Sequence, residues 1–315
     1  MQKRKLGNTD LLITRIGCGA WAIGGAGWEF GWGPQDDDES VAAIHRALEL
    51  GVNWIDTAAV YGLGHSEEII ARALDGRRER PYVFTKCGRV PNSRNQPVTV
   101  LKKESIREEL ERSLRRLRTD AIDLYQIHRP NEDVEEAWTE LAAQQKAGKV
   151  RWIGVSNFDV AQLRACAAIA PVSSLQPPYS LLDRSAEKET LPYCLEHGIG
   201  VINYSPMYSG LLSGTMTAER VAALPGDDWR VRNPEFRPPR LAENLGFVET
   251  LRRIGKRHGN AAPGAVAVAW TLLHPAVTGA ITGFRRPDQV GGVLGAAHIQ
   301  LTDEDLAEID AALPA

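Results

Sequence analysis

Short runs of β-branched, aromatic and aliphatic residues alternate along this chain with longer stretches in which apolar residues recur every three or four positions. That alternation is the signature of parallel strands joined by crossover helices. Eight strand cores are read in order: Arg15 to Cys18, Asn53 to Asp56, Tyr82 to Lys86, Ile122 to Ile127, Val150 to Val155, Ser174 to Gln176, Gly200 to Tyr204, and Gly279 to Thr282. The clearest helix is expected from about Leu101 to Leu117, where Ile106, Leu110, Leu114 and Leu117 form a one-sided apolar stripe. Its other face is charged, with Glu108 and Arg112, and Glu111 and Arg115, spaced four apart as ion pairs. Before the first strand, turn residues between Lys5 and Ile13 predict a hairpin placed to close the bottom of the fold. Ser213 to Leu241 is rich in Pro, Gly, Arg and Asp without sustained periodicity. It is read as a long loop, lid-like, ahead of a helix from about Asn244 to His258. Eight strands with crossovers predict the α/β class and a (β/α)8 TIM barrel, one domain over 1–315, with an N-terminal β-hairpin and long loops at its C-terminal face.

Composition narrows this further. A length of 315 residues exceeds the usual single-domain size but suits one such barrel. The 43% hydrophobic and 24% charged content is that of a folded globular protein. A formal net charge of -3 gives no positive field for a phosphate backbone, so no nucleic-acid partner is expected. Cys18, Cys87, Cys166 and Cys194 lie far apart and form no C-x-x-C pair, so they are read as reduced thiols. No apolar signal core follows the charged start, and no run approaches the ~18 apolar residues of a membrane helix. A cytoplasmic protein without membrane contact is expected. Asp36-Asp37-Asp38 admits an acid cluster for a metal, but directly before a helical run it is read as a cap, and no metal is expected.

In a barrel of this kind chemistry gathers at the C-terminal strand ends. Asp56 closes the second strand, Tyr61 follows five residues later, Lys86 closes the third and His128 closes the fourth. Singly, each has a plain explanation: a turn or cap acid, a surface amine, packing rings. Together on neighbouring strand ends they suit proton transfer at a carbonyl. The Lys86 ammonium is expected to lower the pKa of the Tyr61 phenol, Asp56 to offset the cost of burying that ammonium, and His128 to donate to a substrate oxygen. The apparatus fits a carbonyl becoming an alcohol, or the reverse.

At these residues the sequence resembles the aldo-keto reductase family over essentially its whole length. The likeness is carried by Asp56-Thr57-Ala58 with Val60-Tyr61-Gly62 and Ser66-Glu67, Thr85-Lys86, Asp123 to His128, and Gly154-Val155-Ser156-Asn157-Phe158, in order. The resemblance implies a catalytic tetrad of Asp56, Tyr61, Lys86 and His128, and NADPH/NADP+ extended across the barrel mouth. It implies that Ser156, Asn157 and Gln176 hold the nicotinamide carboxamide and that Tyr204 stacks on the ring. The stretch containing Ser205, Met207, Ser209, Gly210 and Leu211 would follow the pyrophosphate. Gly283, Arg285, Arg286 and Gln289, ahead of and inside a helix opened by Pro287, would receive the adenosine 2′-phosphate. Val293 stands where the family often has an asparagine facing the adenine. Trp21, Trp28 and Trp32 would wall an apolar substrate pocket. Gly17-Cys18-Gly19-Ala20-Trp21-Ala22 superficially fits G-x-G-x-x-A, but glycines continue at 24, 25 and 27 where that fingerprint must open a helix.

Two other functions compete. A Schiff-base aldolase would use Lys86 as nucleophile but has no need of Tyr61. An NADPH-binding regulatory subunit with little turnover has the same tetrad. Which small carbonyl or alcohol is the substrate, which direction runs, and the oligomeric state are not written in the motifs.

Overall fold

The computed structural model describes residues 1–314. Its eight barrel strands are β1 (Ile16–Gly19), β2 (Trp54–Asp56), β3 (Tyr82–Cys87), β4 (Ile122–Ile127), β5 (Val150–Ser156), β6 (Ser174–Gln176), β7 (Gly200–Asn203) and β8 (Val277–Gly283). They pair in parallel, each with its sequence neighbours, and β8 closes on β1. The expected (β/α)8 barrel is therefore the fold, with each predicted strand in place to within a residue or two. Outside it lie α1 (Asp37–Glu49), α2 (His65–Leu74), α3 (Lys103–Leu117), α4 (Val134–Lys146), α5 (Val160–Ile169), α6 (Thr190–Glu196), α7 (Ala218–Ala222), α8 (Arg240–Arg257), α9 (Pro263–Thr271), α10 (Pro287–Leu294) and α11 (Asp303–Ala312).

The strand period of two sorts the barrel interior into layers. Trp54, Phe84, Leu124, Ile202 and Ile281 form its lower apolar layer. The N-terminal hairpin, pairing Lys3–Lys5 with Leu12–Thr14, inserts Leu6, Leu11 and Ile13 into this same cluster and plugs the bottom as expected. Gly17 makes the layer possible, because a Cβ there would stand 2.2 Å from the Trp54 ring. One step further along the strands, Asp56, Lys86, Gln126 and Gln176 replace apolar residues, and all four are buried. The barrel thus changes from apolar to polar as it approaches its C-terminal mouth.

On the outside, Ile106, Leu110, Leu114 and Leu117 of α3 are buried against the barrel as their stripe predicts. Glu108 pairs with Arg112 at 3.0 Å, but Glu111 turns to Lys149 instead of Arg115, a tertiary partner winning over the local one. Asp36 caps α1, its Oδ1 accepting from the Glu39 amide at 2.9 Å. Asp37 bonds His65 and Asp38 bonds Arg72, so each acid of that run has a structural use.

Two elements differ from expectation. A hairpin pairing Arg89–Pro91 with Pro97–Thr99 follows β3, where its Pro- and Asn-rich sequence hides strand character. The segment 213–241 is not a featureless loop: α7 and short turns at Trp229–Arg232 and Pro234–Phe236 build it, and α8 begins earlier than Asn244. Met216, Phe236 and Leu241 pack with Leu211 into a small core of its own, too irregular in spacing to show as periodicity.

Candidate active site

β2 and β3 lie side by side with Asp56 opposite Phe84, and β4 follows with Gln126 opposite Lys86. Inward alternation then brings Asp56 and Lys86 together inside the mouth. Lys86 Nζ donates to Asp56 Oδ1 at 2.6 Å, to the Thr57 carbonyl at 2.7 Å and to Tyr61 Oη at 3.4 Å. Three donors meet three acceptors, so the buried ammonium is fully satisfied. Asp56 Oδ2 accepts from Gln176 Nε2 at 2.8 Å and from Gln126 Nε2 at 3.5 Å. Removing one member of such a buried pair typically costs about 3–5 kcal/mol, since the other charge is stranded.

Tyr61 sits just past β2 in a tight turn, with Gly62 left-handed at φ 58. A Cβ on Gly62 would stand 2.2 Å from the Gly24 carbonyl oxygen, so glycine lets the 21–35 segment lie directly against the tyrosine turn. The His128 ring stands edge-on to Tyr61, centroids 5.7 Å apart, held by its own amide donating to the Cys87 carbonyl at 2.9 Å. Its Nδ1 has no hydrogen-bond partner among the described residues. All four residues expected as a tetrad are brought together.

Electrostatics corrects one expectation. Burial pushes the Tyr61 phenol well above its ordinary value, and the Asp56 charge adds to that rise. Lys86 lies closer to Asp56 than to the phenol, so its charge is largely answered before it reaches Tyr61. Burial lowers Lys86 itself, against the opposing pull of Asp56. His128 is pushed well below the usual histidine range by burial, then by Lys86, Arg129 and Arg89, and is a neutral ring at physiological pH.

Beside the tetrad, Ser156 Oγ donates to the Gln176 carbonyl at 2.9 Å, and Asn157 Nδ2 donates to the His128 carbonyl at 3.0 Å. Tyr204 Oη donates to Asn157 Oδ1 at 2.8 Å. Ser156, Asn157, Gln176 and Tyr204 therefore form one linked group on the rim. Asn157, Ser205, Tyr208 and Ser209 are left-handed, with φ of 64, 55, 46 and 54, and Gly210 follows at 87. The Tyr208 and Gly210 amides bond back to the Ser205 and Met207 carbonyls, so the turn offers an anion only its remaining N–H groups. With the neutral, unpartnered His128 Nδ1, this donor-rich rim fits an extended dinucleotide carrying an amide at one end and phosphates beyond it. Met207 packs against α9 near Gly264, and the Leu211 side chain is core while its amide bonds the Tyr208 carbonyl at 3.1 Å, so Leu211 offers the rim no free N–H.

Gly283, the last residue of β8, is exposed, and α10 opens at Pro287 with Arg286 as its N-cap. Gln289 Oε1 accepts from the Arg285 amide at 2.9 Å. The Arg285 guanidinium does not extend to solvent: it donates to Gln35 Oε1 at 2.5 Å, to the Trp32 carbonyl at 3.1 Å and to the Pro34 carbonyl. Arg286 is the exposed one, paired with Asp288 at 3.2 Å.

The three tryptophans gather over Tyr61. Trp21 stacks near it at 6.2 Å, Trp28 lies at 6.0 Å, and Trp32 meets Trp21 edge-on at 5.5 Å. Sequence reading missed Trp229, which stacks on Trp21 at 5.4 Å from within the 213–241 segment, and Gln126, which alternation with Leu124 could have revealed. The 17–35 segment holds one short turn, Ala22–Gly24, and no helix before α1, so the superficial G-x-G-x-x-A opens none.

The Aldo/keto reductase family model matches residues 15–314. The chain belongs to the aldo/keto reductase family. It is 37% identical over 317 residues to the aldo-keto reductase YhdN of Bacillus subtilis, covering 99% of this chain and 94% of that protein. The NADH-specific methylglyoxal reductase of Escherichia coli is 35% identical, with 97% and 96% covered. Among solved structures, the glycerol dehydrogenase AKR11B4 of Gluconobacter oxydans superposes with a TM-score of 0.89 at 38% identity, covering 99% of this chain and 95% of that one. As an aldo/keto reductase, this chain shares a family of oxidoreductases that use nicotinamide cofactors. No helix among its described residues is long and apolar enough to cross a membrane.

Proposed function

We propose that this aldo/keto reductase interconverts an aldehyde or ketone and its alcohol, with NADPH as hydride donor in the reducing direction. The observation that carries this is Lys86 Nζ held between Asp56 Oδ1 at 2.6 Å and Tyr61 Oη at 3.4 Å, with the His128 ring beside the phenol. The dinucleotide, when bound, supplies the hydride. Tyr61, kept in its protonated form by burial, gives its proton to the carbonyl oxygen, and Lys86 stabilises the phenolate that results. Neutral His128 donates to the same oxygen and orients the carbonyl. Asp56 and the two glutamines hold Lys86 charged and still. Ser156, Asn157 and Gln176 would hold the carboxamide, with Tyr204 against the ring.

For the adenosine end, we assign a 2′-phosphate to Arg286 at the α10 N-terminus, which is exposed, whereas Arg285 is bonded to the 32–35 segment. The NADH-specific relative shows that this preference is a property to be measured chain by chain. An aldolase role for Lys86 is disfavoured by its geometry: all three protons are bonded and the amine is sealed from solvent, whereas a Schiff base needs a free, reachable amine.

Tyr61→Phe is expected to lower carbonyl-dependent NADPH oxidation by a factor of about 10²–10⁴ while NADPH still quenches tryptophan fluorescence. Wild-type turnover in that variant overturns the proton-donor role. NADPH binding without turnover on a broad carbonyl panel points instead to a regulatory subunit.

A further inference from the structure

The proposed reaction leaves the substrate's class open, and the residues just beyond the tetrad narrow it. Cys87 and Ile127 are register partners at the ends of β3 and β4, and the His128 amide is bonded across to Cys87. Arg89 and Arg129 each stand two residues past that pair, so the rim next to Lys86 and His128 carries two arginines on the chain segments that leave adjacent strands. We propose that Arg129, supported by Arg89, seats a carboxylate or phosphate group carried by the carbonyl substrate whose oxygen Tyr61 would protonate; this rests on the reading of the site given above.

The two arginines differ in how they are held. Arg89 is half-buried and donates to Thr99 Oγ1 at 3.0 Å, across the hairpin that follows β3. That bond engages one guanidinium nitrogen, Nη1, and leaves further guanidinium donors available. Arg129 is exposed and makes no hydrogen bond or ion pair with any described residue. Neither has a carboxylate within ion-pair distance among the described residues, in contrast to Arg230 with Asp228 at 2.6 Å or Arg107 with Glu140 at 2.6 Å.

Their charges reach the reacting groups. Arg129 opposes the burial-driven rise of the Tyr61 and Tyr204 phenols and adds to the burial-driven fall of His128, Arg89 adds to that fall as well, and Arg129 adds to the burial-driven fall of Arg89. Glu29 is the one acid acting on Arg89, and Asp183 acts on Tyr204. The mouth above the polar layer is therefore positive on the side of β3 and β4, with mutual repulsion that an anion would relieve. An exposed arginine alone is ordinary surface. Two on one rim, unpaired with acids and within electrostatic reach of the proton donor, form a seat with the fork geometry that carboxylate and phosphate share.

The test compares matched substrates with NADPH: succinic semialdehyde against butanal, and glyceraldehyde 3-phosphate against glyceraldehyde. The expected result is a kcat/KM at least tenfold higher for the anionic member of one or both pairs, expressed in KM, and diminished by added salt. Which pair shows it identifies carboxylate or phosphate. Arg129→Ala should bring the anionic-to-neutral ratio close to one, Arg129→Lys should keep part of it, and Arg89→Ala should reduce it. Equal efficiency within both pairs, or a ratio unchanged by Arg129→Ala, overturns the proposal while leaving carbonyl reduction intact. No NADPH oxidation with any of the four overturns the underlying reading instead.

Discussion

Tyr61 and Lys86 meet as their sequence spacing suggests, but the direction of the electrostatic effect depends on distances that no motif encodes. Lys86 is 2.6 Å from Asp56 and 3.4 Å from the phenol, and burial acts on all three groups at once. A carboxylate that close to the ammonium cancels most of the field that would have made Tyr61 acidic. The phenol is therefore held protonated, the form that the proposed carbonyl reduction would consume. Because its pKa lies above 10, the proton is present at all lower pH values, and the group contributes no loss of reductive activity between pH 7 and 9. His128, neutral down to below its ordinary value of 6.5, contributes no fall in that interval either. The expected pH profile is a reduction kcat/KM that is flat from pH 7 to 9, with alcohol oxidation, which needs the deprotonated phenol, rising over the same range. Initial rates in both directions check this. A reduction rate that drops tenfold from pH 7 to 9 is incompatible with the phenol being held protonated.

At the level of elements, the barrel was legible because its strands and α3 obey simple periods, and Asp56, Lys86 and His128 were legible because barrel chemistry sits at strand ends. What stayed hidden is held by long-range contacts. Trp229 reaches Trp21 from an aperiodic segment, its amide donating to the Gly31 carbonyl at 3.3 Å. Arg230, paired with Asp228, lies over the Trp32 ring at 4.4 Å. Arg285 bonds the same 32–35 segment from the end of β8. Two loops and the start of α10 thus meet over the mouth, and a pair of arginines that look equivalent in sequence differ in their partners. Arg286→Ala is expected to weaken 2′,5′-ADP binding by about tenfold and leave ADP binding nearly unchanged, as one charge-assisted bond is lost. Arg285→Ala should instead speed proteolytic cleavage within residues 21–35 and change tryptophan fluorescence. Titration calorimetry and limited proteolysis distinguish the two; equal loss of 2′,5′-ADP binding in both variants contradicts the division.

For the molecule as a whole, one buried acid ties stability to pH. Glu109 of α3 is 5% exposed and accepts from the Gly88 amide at 3.1 Å with each carboxylate oxygen. No cation among the described residues is bonded to it; Arg112 on its own helix helps at a distance, while Glu67 on α2 opposes its charge, and the Cys87 thiol and the Tyr125 phenol interact with it from β3 and β4. Burial is the largest influence and raises its pKa from 4.5 to about 7. The folded chain therefore holds this proton more tightly than the unfolded one. The stability that the proton confers is complete below pH 4.5 and is lost as pH rises through 7, by roughly 3 kcal/mol at about 1.4 kcal/mol per unit. Glu109→Gln keeps an oxygen for Gly88 and removes the charge. It is expected to raise the thermal midpoint by several degrees at pH 8 and to change it little at pH 4.5, read by circular dichroism against the parent chain. An equal difference at both pH values means that the carboxyl is not the titrating group. Because Gly88 lies between Cys87, which holds the His128 amide, and Arg89, the same substitution also reports whether the pH at which this acid ionises is felt at the rim: Arg89-dependent substrate preference should lose any step near pH 7 when the charge is gone.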